Sequence, residues 1–501
     1  MTPRWRAAAG VLALMAVFGT LALLNTGGYR YGASDQAFYV PAVLQHIDGS
    51  LFPRDRDVLS AEARFMVFDE VLGAVARALP ISVPHLFFGA YLLMLAALSG
   101  AAWAFGRAMY ASGWTAVALV LAMSLRHRIA KTGVNTLESN FHPRVLAFAI
   151  GVGALAACLE RRWWLALLLA TLAVPVHPTT GLWFAVATGV TILVAEPRLR
   201  ASMAALAVVA AAGAVWVVLA GPLDGHLAVM GPDWLASLAR KDYLFPTGWS
   251  LETWATNLVY PVAIGILFFL RRRAGAATRA EHGLIAASAV LFLLFAGSLP
   301  FSHARIALAV QLQVPRVLWL LDFVGTALLV WWVIEGPWGR RTAAGPRRWA
   351  VALVAVVALA RGTYVTFVER QGDPILTVDV PKDDWGRAMR WLRATTPIDT
   401  FVLADPGHAW RYGSSVRMAA RRDVYLEEVK DSALGMYSPE IAARVLTRVQ
   451  RTNDFPGLTA DQIRDLARLE GLDCLVTESA LDLPVAFRSG RITVYRLTAA
   501  P

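Results

Sequence analysis

The sequence predicts a polytopic α-helical membrane protein of about eleven spans with a small C-terminal α/β domain on the far side of the bilayer. Three observations predict it. Of 501 residues, 57% are hydrophobic and only 17% are charged, with a mean hydropathy of +0.51, outside the range of a soluble domain of this size. Basic clusters fall on alternate connectors: Arg4 and Arg6, Arg107, Arg161 and Arg162, Arg198 and Arg200, Arg271 to Arg273 with Arg279, and Arg340, Arg341, Arg347 and Arg348. Short connectors rich in Arg stay cytoplasmic, so the segments between these clusters belong outside. Finally, the chain loses its apolar character after residue 370.

The first span is expected at 7–24. It follows two arginines and ends in Asn25-Thr26-Gly27-Gly28, without a small-residue cleavage signal, which favours a retained span over a removed leader. Further spans are expected at 83–105, 111–125, 145–159, 163–176, 180–195, 202–221, 257–270, 284–300, 315–334 and 349–368. An odd number carries an inside N-terminus to an outside C-terminus. The segments 111–125 and 163–176 reach ~22 Å as helix against a hydrocarbon core of ~30 Å, so tilted, broken or re-entrant forms are all open for them.

The chain thus divides into a transmembrane region, 1–370, with a first outer loop at 26–82, and an extracytoplasmic region, 371–501. In the latter, Asp383 and Asp384 open an amphipathic helix with Trp385, Met389 and Leu392 on one face, ended by Pro397. Apolar runs at 400–403, 424–426, 474–477 and 492–497 alternate with helical stretches near 438–450 and 459–470, a pattern of strands and helices. The formal charge of +11 is not a nucleic-acid signal: residues 373–501 hold 17 Lys and Arg against 18 Asp and Glu, so the excess sits on the membrane connectors. Cys158 falls in a span and Cys474 in the tail, and no disulfide is expected.

Ionisable groups at membrane depth are costly, so chemistry is sought where they gather. The first outer loop begins Tyr29-Arg30-Tyr31-Gly32-Ala33-Ser34-Asp35-Gln36, followed by an apolar helix at 38–47 expected to lie on the membrane, then Phe52-Pro53-Arg54-Asp55-Arg56-Asp57 and an amphipathic stretch at 62–79. Two readings stand for Asp35: a general base at the bilayer surface, or an N-cap of the following helix. Asp55 and Asp57 are candidates for substrate or a divalent metal, against simple pairing with Arg54 and Arg56. No metal is required.

This layout resembles the GT-C superfamily of membrane glycosyltransferases that use polyprenyl-phosphate sugars. The resemblance rests on Ser34-Asp35-Gln36 early in a long outer loop, on Asp55-Arg56-Asp57, and on the tail opening Asp384-Trp385 through Trp391-Leu392-Arg393 to Thr396-Pro397. It implies a GT-C-like fold, an inverting hexosyl- or pentosyltransferase of the cytoplasmic membrane, and Asp35 as catalytic base. It also implies a polyprenyl-phosphate or diphosphate donor, with a glycan, lipid or protein acceptor outside. The alternative is a non-enzymatic lipid-linked glycan flippase or envelope assembly partner on the same scaffold.

The connector from Arg126 to Arg144 is basic although the span count places it outside. Either a span is miscounted, or Arg128, Lys131 and Arg144, with Arg316, bind the donor phosphate. Glu138 is a second candidate catalytic carboxylate, or an ion-pair partner of Arg144 or Arg128. His142 and His177 are candidate substrate ligands, with a helix-end hydrogen bond as the other reading for His177. Arg316 can equally snorkel to headgroups, and Arg361, inside the last span, calls for a carboxylate or phosphate partner. No phosphate-binding Gly-Lys-Ser/Thr loop or zinc motif is present.

Overall fold

The computed structural model describes residues 3–336 and 344–498. Arg340 and Arg341, counted above as topological anchors, lie outside the described residues. Eight helices among the described residues are long and apolar enough to cross a membrane: Ala8–Thr26, Val83–Met109, Pro178–Ala195, Pro197–Leu219, Leu251–Arg273, Arg279–His303, Ala307–Glu335 and Arg347–Glu369. Three of the expected spans are shorter apolar helices, Gly113–Met123, Pro143–Leu159 and Trp163–Val176. The segment 145–159, expected as an ordinary span, therefore joins the two short ones.

Leu206, Val208, Val209, Val215, Trp216 and Leu219 of one helix, and Leu353, Val356 and Leu359 of another, are exposed. An apolar exterior of this extent is untenable in water and suits lipid. Helix contacts are close where side chains are small: a Cβ on Gly283 would meet the Thr191 carbonyl oxygen at 2.5 Å, so helices Arg279–His303 and Pro178–Ala195 touch backbone to backbone. Arg271 is more than an anchor of topology. It is buried, donates to Glu281 at 2.6 and 3.0 Å and caps the Met109 carbonyl at 2.6 Å. Among the described residues Arg361 pairs with no carboxylate; its guanidinium bonds the Asn25 side-chain oxygen at 2.7 Å and its backbone carbonyl at 3.2 Å, because Asn25 ends the neighbouring first helix.

In the first loop, helix Gln36–Ile47 is not spread on a membrane surface as expected. Residues 36–44 are all buried, covered by helices Arg56–Ala63 and Phe68–Ala78 and by Val416–Ala420 of the tail. The amphipathic stretch at 62–79 is two helices, broken at 64–67. The tail holds a five-stranded sheet in the order Asp423–Val424, Phe401–Ala404, Cys474–Thr477, Ile492–Arg496, Val485–Ser489. The first two pairings are parallel and the last two antiparallel. The edge strand Val485–Ser489 was missed in sequence because Arg488 and Ser489 break its apolar run. Helix Asp384–Thr395 buries Trp385, Met389 and Leu392, with Asp383 accepting from the Gly386 amide at 2.7 Å as N-cap.

Loop and tail are joined by a buried ion cluster. The Arg417 guanidinium, wholly buried, donates to Asp55 at 2.7 Å and to both oxygens of Asp431 at 2.6 and 2.9 Å. Asp55 also accepts the Val424 amide at 3.1 Å, and Asp423 takes the Arg54 and Asp55 amides at 3.1 and 3.2 Å. Burial and the nearby Asp55 charge push the Asp423 carboxyl up to about 6. Removing one partner of a fully buried pair leaves the other charge uncompensated, at about 3–5 kcal/mol. Asp55→Asn should accordingly lower the thermal midpoint of the purified protein markedly, whereas Asp57→Asn, at an exposed position, should change stability by less than about 0.5 kcal/mol and barely move the midpoint. Equal, small shifts for both would show that the cluster does not hold the loop to the tail.

Candidate active site

Three ties fix the segment that carries Asp35. The Arg30 amide donates to the Ser139 carbonyl at 2.8 Å, the Gln36 side-chain amide to the Phe141 carbonyl at 3.2 Å, and the Gln36 side-chain oxygen accepts the Gly32 amide at 2.8 Å. Gly32 has φ +82°, a conformation that strains other residues, and packs under the Met418 methyl of the tail, so glycine suits this turn. Ser34 is also left-handed, at φ +54°, a conformation that costs a non-glycine residue energy and directs the next residue sharply.

Asp35 is the residue so directed. It stands at the N-cap position of helix Gln36–Ile47, but its carboxylate makes no capping bond. One oxygen accepts from His142 Nε2 at 2.7 Å and the other from Lys430 Nζ at 2.5 Å. His142 itself caps helix Pro143–Leu159: its Nδ1 accepts the Arg144 amide at 3.2 Å, which leaves the proton on Nε2 to donate to Asp35. Burial, with the Arg144 charge, lowers the His142 pKa against the pull of Asp35, so the ring acts as a neutral donor.

Burial alone would raise the Asp35 carboxyl. The Lys430 ammonium, the His142 hydrogen bond and the Arg144 charge outweigh it and hold Asp35 well below the usual carboxylate range. Glu427, the nearest rival for Lys430, is buried with neither oxygen hydrogen-bonded; burial and Asp431 push it up to about 8, so it is mostly neutral near pH 7. Lys430 therefore serves Asp35. It is carried by helix Glu428–Leu434, whose Asp431 is clamped by Arg417.

Asp35 opens onto a cavity of about 550 Å³ lined by both regions of the chain. Arg128, Glu138, Arg144 and Arg316, all singled out in sequence, line it with Asp35. So do Arg30, Arg126, Lys241, Arg370 and Lys430, giving eight cationic side chains against two carboxylates. Such a balance favours an anion. His142 reaches the site through Asp35. Glu138 accepts from Arg144 at 3.3 Å and from Asn135 at 3.1 Å, so ion pairing and cavity lining hold together.

Four candidates are elsewhere. Lys131 lies on the outside of the connector and pairs with Asp242. Asp55 is occupied by Arg417, and Asp57 is exposed in the first turn of helix Arg56–Ala63, so the two do not form a metal site. His177 caps helix Pro178–Ala195, its Nδ1 accepting the Thr180 amide at 3.4 Å, and lines a separate cavity of about 110 Å³ with Glu62 and Tyr437. The sequence reading missed Lys430 and Lys241. A signal was present: the chain has four lysines against 43 arginines, and two of the four line this cavity.

Charged and titratable groups around Asp35 are Lys430 from the tail, His142 and Arg144 from the connector, Glu62 and Tyr39 from the first loop, and Lys241 and Tyr243 from the segment before helix Leu251–Arg273. The depressed Asp35 pKa contributes stability above the unfolded carboxylate range that is lost as pH falls through the folded value. The raised Lys430 pKa contributes below the unfolded lysine range and is lost as pH rises through its folded value. The gap in thermal midpoint between the parent protein and Lys430→Met should thus be widest between those ranges and shrink at both extremes. A gap that stays constant from acid to alkaline pH would count against the ion pair.

No protein-family model matches the sequence, and no curated protein matches it. Among solved structures, the chain is similar to the apo oligosaccharyltransferase of Archaeoglobus fulgidus over 93% of its own length and 69% of that chain, with 13% identity and a TM-score of 0.45. It is also similar to the archaeal oligosaccharyltransferase AglB from the same organism in complex with an inhibitory peptide and a dolichol-phosphate, over 94% of this chain and 70% of that one, with 11% identity and a TM-score of 0.47. The form tethered to an acceptor peptide containing the NVT sequon gives 93% and 69% coverage, 12% identity and a TM-score of 0.44.

Proposed function

We propose that this protein is a GT-C-like glycosyltransferase of the cytoplasmic membrane. It transfers a sugar from a polyprenyl-phosphate or polyprenyl-diphosphate donor to an acceptor hydroxyl outside the cytoplasm, with inversion. The observation that carries this reading is the juxtaposition of one oriented carboxylate, Asp35, with an excess of guanidinium and ammonium groups in a single cavity beside apolar helices.

The chemistry follows from the partners. Asp35 is ionised at working pH and can accept the acceptor's O–H as a hydrogen bond. As the acceptor oxygen bonds to the anomeric carbon, its proton passes to an Asp35 oxygen, while the bond from that carbon to the phosphate oxygen breaks and its electron pair leaves with the phosphate. Arg144 and Arg316 stand in the same cavity to receive the growing negative charge. Lys430 and His142 make Asp35 a weak base, so proton transfer becomes favourable only late, once the oxygen has acquired positive character. Attack from the side opposite the phosphate inverts the anomeric centre.

Asp35→Asn should reduce transfer by roughly 10²-fold or more while leaving donor binding intact, because Asn keeps the shape but cannot take the proton. Turnover near that of the parent would remove the base. The topological part of the proposal has its own test. A reporter fused after Arg370 should be active outside the cytoplasm and one fused after Arg273 inside; a tail reporter active only inside would reverse the assignment of the cavity.

A further inference from the structure

The cations of the cavity form two groups. One lies toward Asp35: Lys430 pairs with it, the Arg144 charge acts on it, and Arg316 lies in the field of Arg144. The other gathers where the first and last long helices end. There Arg30 donates to the Gly27 carbonyl at 3.1 Å and to Asp373 at 2.9 Å, the Arg370 side chain packs over Gly27, and Arg126 lies in the field of Arg128, Arg361 and Arg370. Glu138 faces both groups: it accepts from Arg144 at 3.3 Å and attracts Arg126.

Internal pairing does not exhaust this charge. Asp35 is answered by Lys430 and His142, Glu138 by Arg144, and Asp373 by Arg30. Arg126, Arg128 and Arg316 have no carboxylate within 4 Å among the described residues, and the Nε atoms of Arg126 and Arg316 are buried without a hydrogen-bond partner. Arg128 is exposed and Arg126 and Arg316 are half-buried, and a guanidinium nitrogen shielded from water without a partner is costly; such nitrogens stand in both groups. One phosphate beside Asp35 would answer Arg144 and Arg316 but leave Arg126 and Arg128 idle.

We propose that the cavity holds two phosphate-class anions at once, one on Arg144 and Arg316 beside Asp35 and a second on Arg126 and Arg128. This deepens the reading of a phosphate-linked donor and rests on it. The second anion has two sources of the same chemistry: the distal phosphate of a diphosphate donor, or the phosphate of a second lipid-linked molecule. The planar, two-pronged guanidinium suits either.

The test is equilibrium binding of polyprenyl monophosphate and polyprenyl diphosphate to the full chain in phosphatidylcholine nanodiscs. The parent protein is compared with R126Q/R128Q, R144Q/R316Q and the charge-conserving R126K/R128K, which guards against loss of fold. A diphosphate source predicts that the parent prefers diphosphate about tenfold or more, and that R126Q/R128Q erases this margin without weakening monophosphate binding. A second-lipid source predicts two monophosphates per parent chain and one per R126Q/R128Q chain. In either case R126K/R128K should behave nearly as the parent. The proposal is overturned if the parent binds one monophosphate with no diphosphate preference. It is equally overturned if R126Q/R128Q changes neither margin nor stoichiometry, or if the two Gln pairs weaken monophosphate binding alike. Binding counts do not depend on turnover, so a parent protein that transfers no sugar from either donor would sink the transfer reading while leaving this one standing.

Discussion

The Asp55–Arg417–Asp431 cluster is the constraint on which the rest of the site depends. Asp55 belongs to the first loop and the other two to the tail, and all three are buried. Ions so placed are stable only in one arrangement, because every displacement exposes a charge to a medium that cannot solvate it. Arg417 therefore does two things. It locks the tail to the loop, and through Asp431 it sets the helix that presents Lys430 to Asp35, some 395 residues away in sequence. A carboxylate on a left-handed turn, a neutral histidine held by its own backbone and a lysine delivered from another region meet at one point because this lock leaves no slack.

The surrounding charge follows a different logic. In most of the membrane region, polar groups are satisfied within the protein: Arg271 by Glu281, Glu335 by the Ala111 and Ser112 amides and Thr115, Arg361 by Asn25. The cavity concentrates the unanswered positive charge. There guanidinium groups outnumber their partners, and the two acids present are already engaged. This excess stands where a ligand can complete it, which is why the cavity carries the functional reading.

Much of this was legible in sequence. Hydropathy placed helices at all eleven expected spans, since long apolar segments have few alternatives in lipid. Asp35 stood out by its place early in the first outer loop and by resemblance, Glu138 and Arg144 because their basic connector breaks the alternation of charge, and Arg316 because it stands at the start of a span. What sequence could not supply is pairing across distance. Asp55 looked like half of a local Asp-x-Asp motif until Arg417 claimed it. Lys131 and Arg128 are three residues apart on one hairpin, yet the strand pair Arg128–Ile129 and Val134–Asn135 turns one toward the cavity and the other toward Asp242. Helix Gln36–Ile47 read as a membrane-surface element because its apolar covering comes from helices Arg56–Ala63 and Phe68–Ala78 and from the tail, which local periodicity does not encode.

Under the proposed function, donor phosphate and sugar would lie in the cavity built jointly by the first loop, the basic connector and the tail. An electron cryomicroscopy structure of the protein with a bound polyprenyl-phosphate sugar tests that claim most directly. The predicted result is phosphate on Arg144 and Arg316, with the sugar's anomeric carbon facing Asp35 and the lipid chain leaving along the apolar helices. A donor lodged elsewhere, with its phosphate remote from Arg144 and Arg316 and its sugar turned away from Asp35, would contradict the account.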